Sequence, residues 1–375
     1  MHHVYLIPGF FGFSNLGNVL YFRAVRETLL QDFARRGQPV EIFGVRTYPT
    51  GSLARRARRV LEEIDKNDSL KRADSIHLIG HSTGGIDARL VASTAEGLGL
   101  SSLRPKLAGK LKTVVCVSAP HYGTPLANFF TTIYGKKLLY FVTLLVFVGL
   151  WRRPIALAGG ILGLGYKAYN LLGLNETLLL QLTNQLLREF TPERQQEVRS
   201  FLDSILKDVS LMIQLTPESM EVLNATIRPL EDIRHVSYAT ISPPPSKIID
   251  RARWREWLDP LSVVLYGALY SLAGKPESGY SYHPPVEPLA FDTGVRLPFD
   301  LDPTSNDGVV PTLSQLYGEF RGFVKADHLD VVGHYLRGPL EKQDGSDWFL
   351  SGAKFSLDTF ERLWDDVTRV LLREA

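Results

Sequence analysis

A chain of 375 residues, 45% hydrophobic and 22% charged, has the size and apolar content for a large buried core and reads as an ordinary globular protein. Its 42 basic and 40 acidic side chains leave a net charge of +2, so the balance gives no footprint for a nucleic-acid partner. One cysteine, Cys116, excludes an internal disulfide and a thiolate metal cluster; within the apolar run Val114–Val117 it reads as a buried strand residue rather than a nucleophile.

In chain order, Val4–Ile7 is the first apolar run and predicts a strand. It begins within a few residues of Met1 and shows no charged n-region or cleavage site, so the expected location is the cytoplasm, or outside the cell if a leader has been removed. Then follow a helix near Val19–Arg36, a strand at Val40–Val45, a helix near Leu53–Ile64, a strand at Ile76–Ile79 and a helix from about Gly84. A strand at Lys112–Ser118, two later ones at His235–Ile241 and Phe320–Lys325, and a last helix at Leu357–Leu372 complete the series. This alternation predicts an α/β fold, a mostly parallel sheet of about six strands flanked by helices.

Two segments break the rhythm. Residues 128–234 read as helical, with the run Leu138–Trp151 containing Thr143 as its only clearly polar member. A second, smaller segment, 243–279, opens with three prolines and carries the apolar stretch Leu261–Ala273. Both follow a strand, where open α/β sheets place their ligand-binding loops. We therefore expect one catalytic domain made of 1–127 and 235–375, with a large helical lid or cap at 128–234 and a smaller cap at 243–279.

Gly80-His81-Ser82-Thr83-Gly84 lies between a predicted strand and a predicted helix. A Gly-x-Ser-x-Gly pattern in that setting forms a sharp turn that lifts the serine clear of the sheet, which makes Ser82 the candidate nucleophile. Pro8-Gly9-Phe10 follows the first strand, so the N–H groups of Phe10 and Thr83 are the candidate oxyanion-hole donors.

A serine needs a base and the base needs an orienting carboxylate, in the chain order Ser, acid, His. Of nine histidines, His328 directly follows the last predicted strand, and Asp307, in the turn Asn306-Asp307-Gly308, precedes that strand. His334 is the nearest rival but falls in the next predicted turn; His77 and His81 read as structural, and His121 as a loop tie. Asp300 and Asp302 are weaker than Asp307 because no strand follows them at once.

These residues resemble the bacterial true lipases of the α/β-hydrolase superfamily, the Pseudomonas and Burkholderia triacylglycerol lipase type. The likeness rests on Ile7–Gly12, Leu78–Arg89, Val117–Pro125, Asn306–Val310 and His328–Asp330. It implies an α/β-hydrolase fold, a carboxylic ester hydrolase with a mobile helical lid, and a triad on Ser82, Asp307 and His328. The sequence departs from that family at Pro8, where the family has a histidine, and in having neither leader nor cysteine pair, whereas the family is secreted and often disulfide-bonded. Those lipases also hold a calcium between two aspartates; Asp330 aligns with one, and none of Asp292, Asp300 and Asp302 can be aligned with the other, so no metal is assigned.

No cofactor is required by this chemistry, and the expected partner is a small-molecule or lipid ester. The run Leu138–Trp151 is shorter than the roughly twenty residues a bilayer-spanning helix takes. It reads first as a lid over a medium- or long-chain acyl pocket, with a purely structural helix and transient contact with a lipid interface as alternatives. Acyl transfer, a thioesterase and a non-catalytic lipid-binding module are the rival functions.

Overall fold

The computed structural model describes residues 1–10, 21–95, 107, 109–151, 176–188, 191–245, 259–275, 301–335 and 349–374. Six strands form one fully parallel sheet: β1 (His2–Ile7), β2 (Val40–Gly44), β3 (Ser75–His81), β4 (Leu111–Val117), β5 (Arg234–Ile241) and β6 (Glu319–Lys325). Their spatial order is β2-β1-β3-β4-β5-β6. The central strands are buried along nearly their whole length, which explains why they read as continuous apolar runs without a period of two.

The order fixes the layers. From β1 the chain steps one way to β2 through α1 (Arg23–Arg35), and from β2 back across β1 to β3 through α2 (Leu53–Lys66). Right-handed crossovers in opposite directions place α1 and α2 on opposite faces, with α3 (Thr83–Val91), the link from β3 to β4, beside α2. The last helix, α11 (Leu357–Leu372), packs against α1, burying Phe360, Leu363, Trp364, Val367 and Leu371 at helical spacing. Ser52 and Ser356 cap α2 and α11 by accepting from Arg55 N and Thr359 N.

Between β4 and β5 run α4 (Pro125–Thr131), α5 (Ile133–Trp151), α6 (Glu176–Leu187), α7 (Pro192–Lys207), α8 (Ser210–Gln214) and α9 (Pro217–Thr226). Between β5 and β6 lies α10 (Asp259–Ala273). The apolar run expected from Leu138 thus begins its helix at Ile133. No helix among the described residues is long and apolar enough to cross a membrane. The continuation of that run at 155–164, the glycine-bearing residues 11 and 12 of the first loop, and Asp292 and Asp300 fall outside the described residues.

Because the chain changes direction across β1, the carboxyl ends of β1 and β3 form a switch point, the crevice where parallel sheets accept ligands. Much of the polar burial is histidine. His77, His81, His121, His235 and His334 are at most 8% exposed. Desolvation holds each below its ordinary range, His77 to about 3 and His235 and His334 to about 4. Unfolding restores proton affinity near pH 6.5, so on acidification the unfolded chain binds more protons than the folded one. The associated stability is whole above about pH 6.5 and is lost as pH falls toward 4, each histidine adding roughly 1.4 kcal/mol per pH unit to the slope. Thermal unfolding followed by circular dichroism should show a level midpoint from about pH 8 to 7 and a steep fall between about 6 and 4; a level midpoint across the lower interval would contradict it.

Candidate active site

Ser82 sits at the junction of β3 and α3 with φ 55° and ψ −131°, a left-handed conformation that a serine adopts only where the surroundings impose it. The turn is possible because its neighbours lack side chains: a Cβ on Gly80 would enter the Gly84 carbonyl, and one on Gly84 would enter the carbonyl of Ile7. Backbone bonds Ser82 N–H to Val117 O (2.9 Å) and Gly85 N–H to Ser82 O (2.9 Å) fix the turn between β4 and α3. The N–H of Thr83 opens α3, where the first amides have no intrahelical acceptor. On the other side Gly9 packs on the serine itself, close enough that a Cβ there would lie 2.6 Å from Ser82 Cβ and 3.0 Å from its Oγ. Phe10, 7% exposed, is the next residue.

A fully buried ion pair aligns these two segments. Arg56, on the inward face of α2, donates to Asp87 of α3 through Nε (3.0 and 3.2 Å) and Nη2 (2.7 Å). Its Nη2 also reaches Pro8 O (2.9 Å) and Thr83 Oγ1 (3.2 Å), and its Nη1 reaches Tyr48 O (2.8 Å). One planar guanidinium thereby sets the distance between the loop after β1 and the start of α3. Burial pushes the Asp87 carboxyl up to about 6, and the Arg56 charge works in the opposite direction. The sequence carries a signal for this pair, since Arg56 stands within the apolar stripe Leu53, Ala57, Val60 and Leu61 and Asp87 lies in the wholly buried helix α3.

Asp307 is fully buried in the turn before β6. Its Oδ1 accepts from Val309 N (3.0 Å) and Val310 N (2.8 Å), and its Oδ2 from His328 Nδ1 (2.8 Å), Thr240 Oγ1 (2.6 Å) and Gln315 Nε2 (3.2 Å). His328 follows β6, and its peptide is held at both ends: its N–H donates to Asp307 O (3.0 Å) and its C=O accepts from His81 Nε2 (2.8 Å). That bond puts the proton of His81 on Nε2, leaving Nδ1 to accept from Tyr21 Oη (2.6 Å), which in turn lies against the Gly9 backbone. His81 therefore links the loop after β1 to the His328 loop, with its ring 4.8 Å from the His328 ring. No hydrogen bond joins Ser82 Oγ to His328 Nε2 among the described residues. The contributions of Thr240, Gln315 and Tyr21 left no mark in the sequence, because each depends on how distant loops meet.

The remaining candidates lie elsewhere. His77 pairs with His2 (3.1 Å) in the sheet, and His121 stacks on Tyr317 (4.7 Å) while its backbone N–H donates to Ser314 O (2.8 Å). His334 lies beyond Gly333 and past Tyr21, its ring 6.2 Å from the tyrosine. Asp302 caps its own turn through Thr304 N (2.6 Å). Asp330 directs Oδ2 to Asp327 N–H (2.9 Å). Among the described residues no three metal-ligating side chains converge.

A largely apolar cavity opens from Ser82, Thr83 and Phe10. Phe130 of α4, Leu139 and Val142 of α5, Met212 of α8 and Leu269 of α10 form its far walls, so helices from both segments that interrupt the strand rhythm enclose it.

The parallel sheet, the left-handed serine between β3 and α3 and the histidine loop after β6 define an α/β-hydrolase fold. Within that fold the chain is similar to bacterial triacylglycerol lipases: it is 28% identical over 125 residues to one from Vibrio cholerae serotype O1, covering 33% of this chain and 34% of that one. Over an equal length it is 28% identical to the triacylglycerol lipase of Pseudomonas fragi, covering 36% of that protein. The chain thus matches about a third of the length of these curated relatives. In fold it is similar to lipase 1 from Pelosinus fermentans, with a TM-score of 0.51 at 16% identity over 98% of each chain. No protein-family model matches the chain.

Removing Arg56 would leave Asp87 buried without a partner. The change Arg56→Met is expected to lower stability by roughly 3–5 kcal/mol, and Arg56→Met with Asp87→Leu to recover most of it. Urea unfolding of both variants checks this; equal losses in the single and double variants would refute the pair as the source.

Proposed function

We propose that the protein is a serine hydrolase of carboxylic esters, a lipase or esterase, acting through Ser82, His328 and Asp307. The observation that carries the reading is the strained Ser82 at the same sheet edge where His328 holds its Nδ1 on a buried carboxylate at 2.8 Å. The similarity to lipases over part of the chain supports it.

In this mechanism His328 takes the Ser82 proton as Oγ attacks the ester carbonyl, and the N–H groups of Phe10 and Thr83 receive the oxyanion charge. His328 then protonates the departing alcohol, water repeats the attack on the acyl-enzyme, and the second collapse frees the acid and restores Ser82. Asp307 keeps the imidazole in the tautomer whose Nε2 faces the serine. The missing Ser82–His328 bond fits catalytic contacts that tighten only when substrate arrives.

The apolar cavity next to Ser82 supports an acyl pocket for medium or long chains, with residues 128–234 acting as a lid and 243–279 as a smaller cap. Exposed apolar residues on that lid, Ile133 (72%) and Leu180 (59%), suit transient contact with a lipid interface. Transfer of the acyl group to an alcohol, or cleavage of a thioester, would use the same residues.

A fluorophosphonate probe should label the wild-type protein and fail to label Ser82→Ala, and His328→Ala should lower kcat by about 10⁴ or more with an unchanged far-ultraviolet spectrum. Normal turnover in His328→Ala would dismiss the triad. Across p-nitrophenyl esters from acetate to palmitate, kcat/KM should rise toward medium or long chains, and a steep preference for acetate would exclude the long pocket.

A further inference from the structure

Asp307 receives more hydrogen bonds than orienting an imidazole requires, and the proton count gives them a direction. The Thr240 hydroxyl has one proton and three oxygens within reach: Asp307 Oδ2 (2.6 Å), Ser118 Oγ (2.8 Å) and Gln315 Oε1 (3.0 Å). Gln315 Oε1 already accepts from Thr240 N (2.7 Å), and its Nε2 donates to Asp307 (3.2 Å), so the orientation of that amide is fixed. The carboxylate is the one charged acceptor and takes the Thr240 proton. Ser118 must then donate to Thr240, giving a one-way chain from Ser118 through Thr240 to Asp307. Ser118 is fully buried and held at φ 54°, a left-handed serine whose conformation the nucleophile turn does not explain.

We propose that Ser118, Thr240 and Gln315 are positioning residues that set the basicity of His328 through Asp307, by drawing charge from the carboxylate oxygen that faces the imidazole. A carboxylate relieved of charge stabilises the imidazolium less, so loss of these donors would strengthen its hold on the imidazolium. This rests on the reading of Ser82, His328 and Asp307 as a triad.

The other titratable groups facing this pair are His81, with its ring 4.8 Å from His328, and Asp327 and Tyr266, which interact electrostatically with Asp307. Burial holds His81 well below and Tyr266 well above the working range, but pushes Asp327 up to about 7. The measurement is therefore made both in the wild-type background and in Asp327→Asn.

The experiment is the pH profile of kcat/KM for a p-nitrophenyl ester, read beside thermal stability. Thr240→Val should lower kcat about tenfold, close to 1.4 kcal/mol, and move the acid limb toward neutral pH in both backgrounds, with Thr240→Ser restoring it. Ser118→Gly should move the limb the same way by less while its unfolding midpoint holds or rises, since glycine takes this backbone conformation without strain. Acid limbs that overlay the wild type in Thr240→Val and Ser118→Gly would overturn the proposal, leaving the three side chains a packing role. Should Thr240→Val fail to fold, Ser118→Gly decides alone. A wild type that neither hydrolyses esters nor takes the fluorophosphonate would instead overturn the triad reading, whereas labelling with unmoved limbs overturns only this inference.

Discussion

The close approach of α3 to the end of β1 is the constraint on which the rest of the site depends. Gly84 lies against the carbonyl of Ile7, with no room for a methyl group, and Gly80 faces Gly84 across the turn. With the helix start driven that far into the sheet edge, Ser82 has no choice but the left-handed conformation at φ 55°. The same approach puts Gly9 on the serine and brings the first N–H of α3 beside the loop after β1. Arg56 then locks the separation, because its planar fork must satisfy Asp87, Thr83 and the Pro8 carbonyl together.

Asp307 and His328 are delivered by a different construction. Neither lies on a strand; both occupy the turns at the two ends of the segment that contains β6, and the sheet sets where those ends fall. Ala326 N–H bonds Ile241 O (3.0 Å) and Ser242 N–H bonds Asn306 O (3.1 Å), so β5 registers the loop before β6 and the loop after it. Helix α11 supports the second loop through Trp364 Nε1 on Val331 O (2.9 Å), and α10 supports the first by laying Tyr266 against Gly308, itself at φ 94°. A helix from the smaller interruption thus touches both the cavity and the carboxylate turn, which ties the shape of the apolar pocket to the residue that orients the imidazole.

This division explains which parts were legible in the sequence. Local chemistry left a pattern: the serine turn demanded glycines at 80 and 84, the buried strands read as unbroken apolar runs, and α11 matched its amphipathic spacing from Leu357 to Leu372. Asp307 and His328 could be proposed because a turn residue before a strand and a histidine after it are also local features. What escaped were contacts between segments far apart in the chain, such as Thr240 and Gln315 on Asp307, or His81 joining Tyr21 to the His328 carbonyl. A threonine inside a strand and a glutamine in a short helical turn look like any other, and only the fold gives them a partner. The helix that contains Leu138–Trp151 was visible as apolar, but its start at Ile133 was not, since Lys136 and Lys137 interrupt the run.

Rigidity in the site is unequally distributed, and the inequality has a chemical sense. The imidazole of His328 is fixed by its ring nitrogen and by both ends of its own peptide, on a carboxylate that takes five hydrogen bonds. The Ser82 hydroxyl, by contrast, takes no hydrogen bond from any described residue, although its backbone is tightly held. As the proposed base, His328 would have to receive a proton and return it to a different oxygen, which requires a constant direction through both transfers, and the donors around Asp307 and the His81 bridge hold it in one direction. In the proposed cycle Ser82 has the opposite requirement, because its oxygen would move from imidazole to carbonyl and back. A fixed backbone whose hydroxyl takes no hydrogen bond from a described residue would let Oγ make that excursion by rotation about a single bond, without breaking any contact that holds the turn.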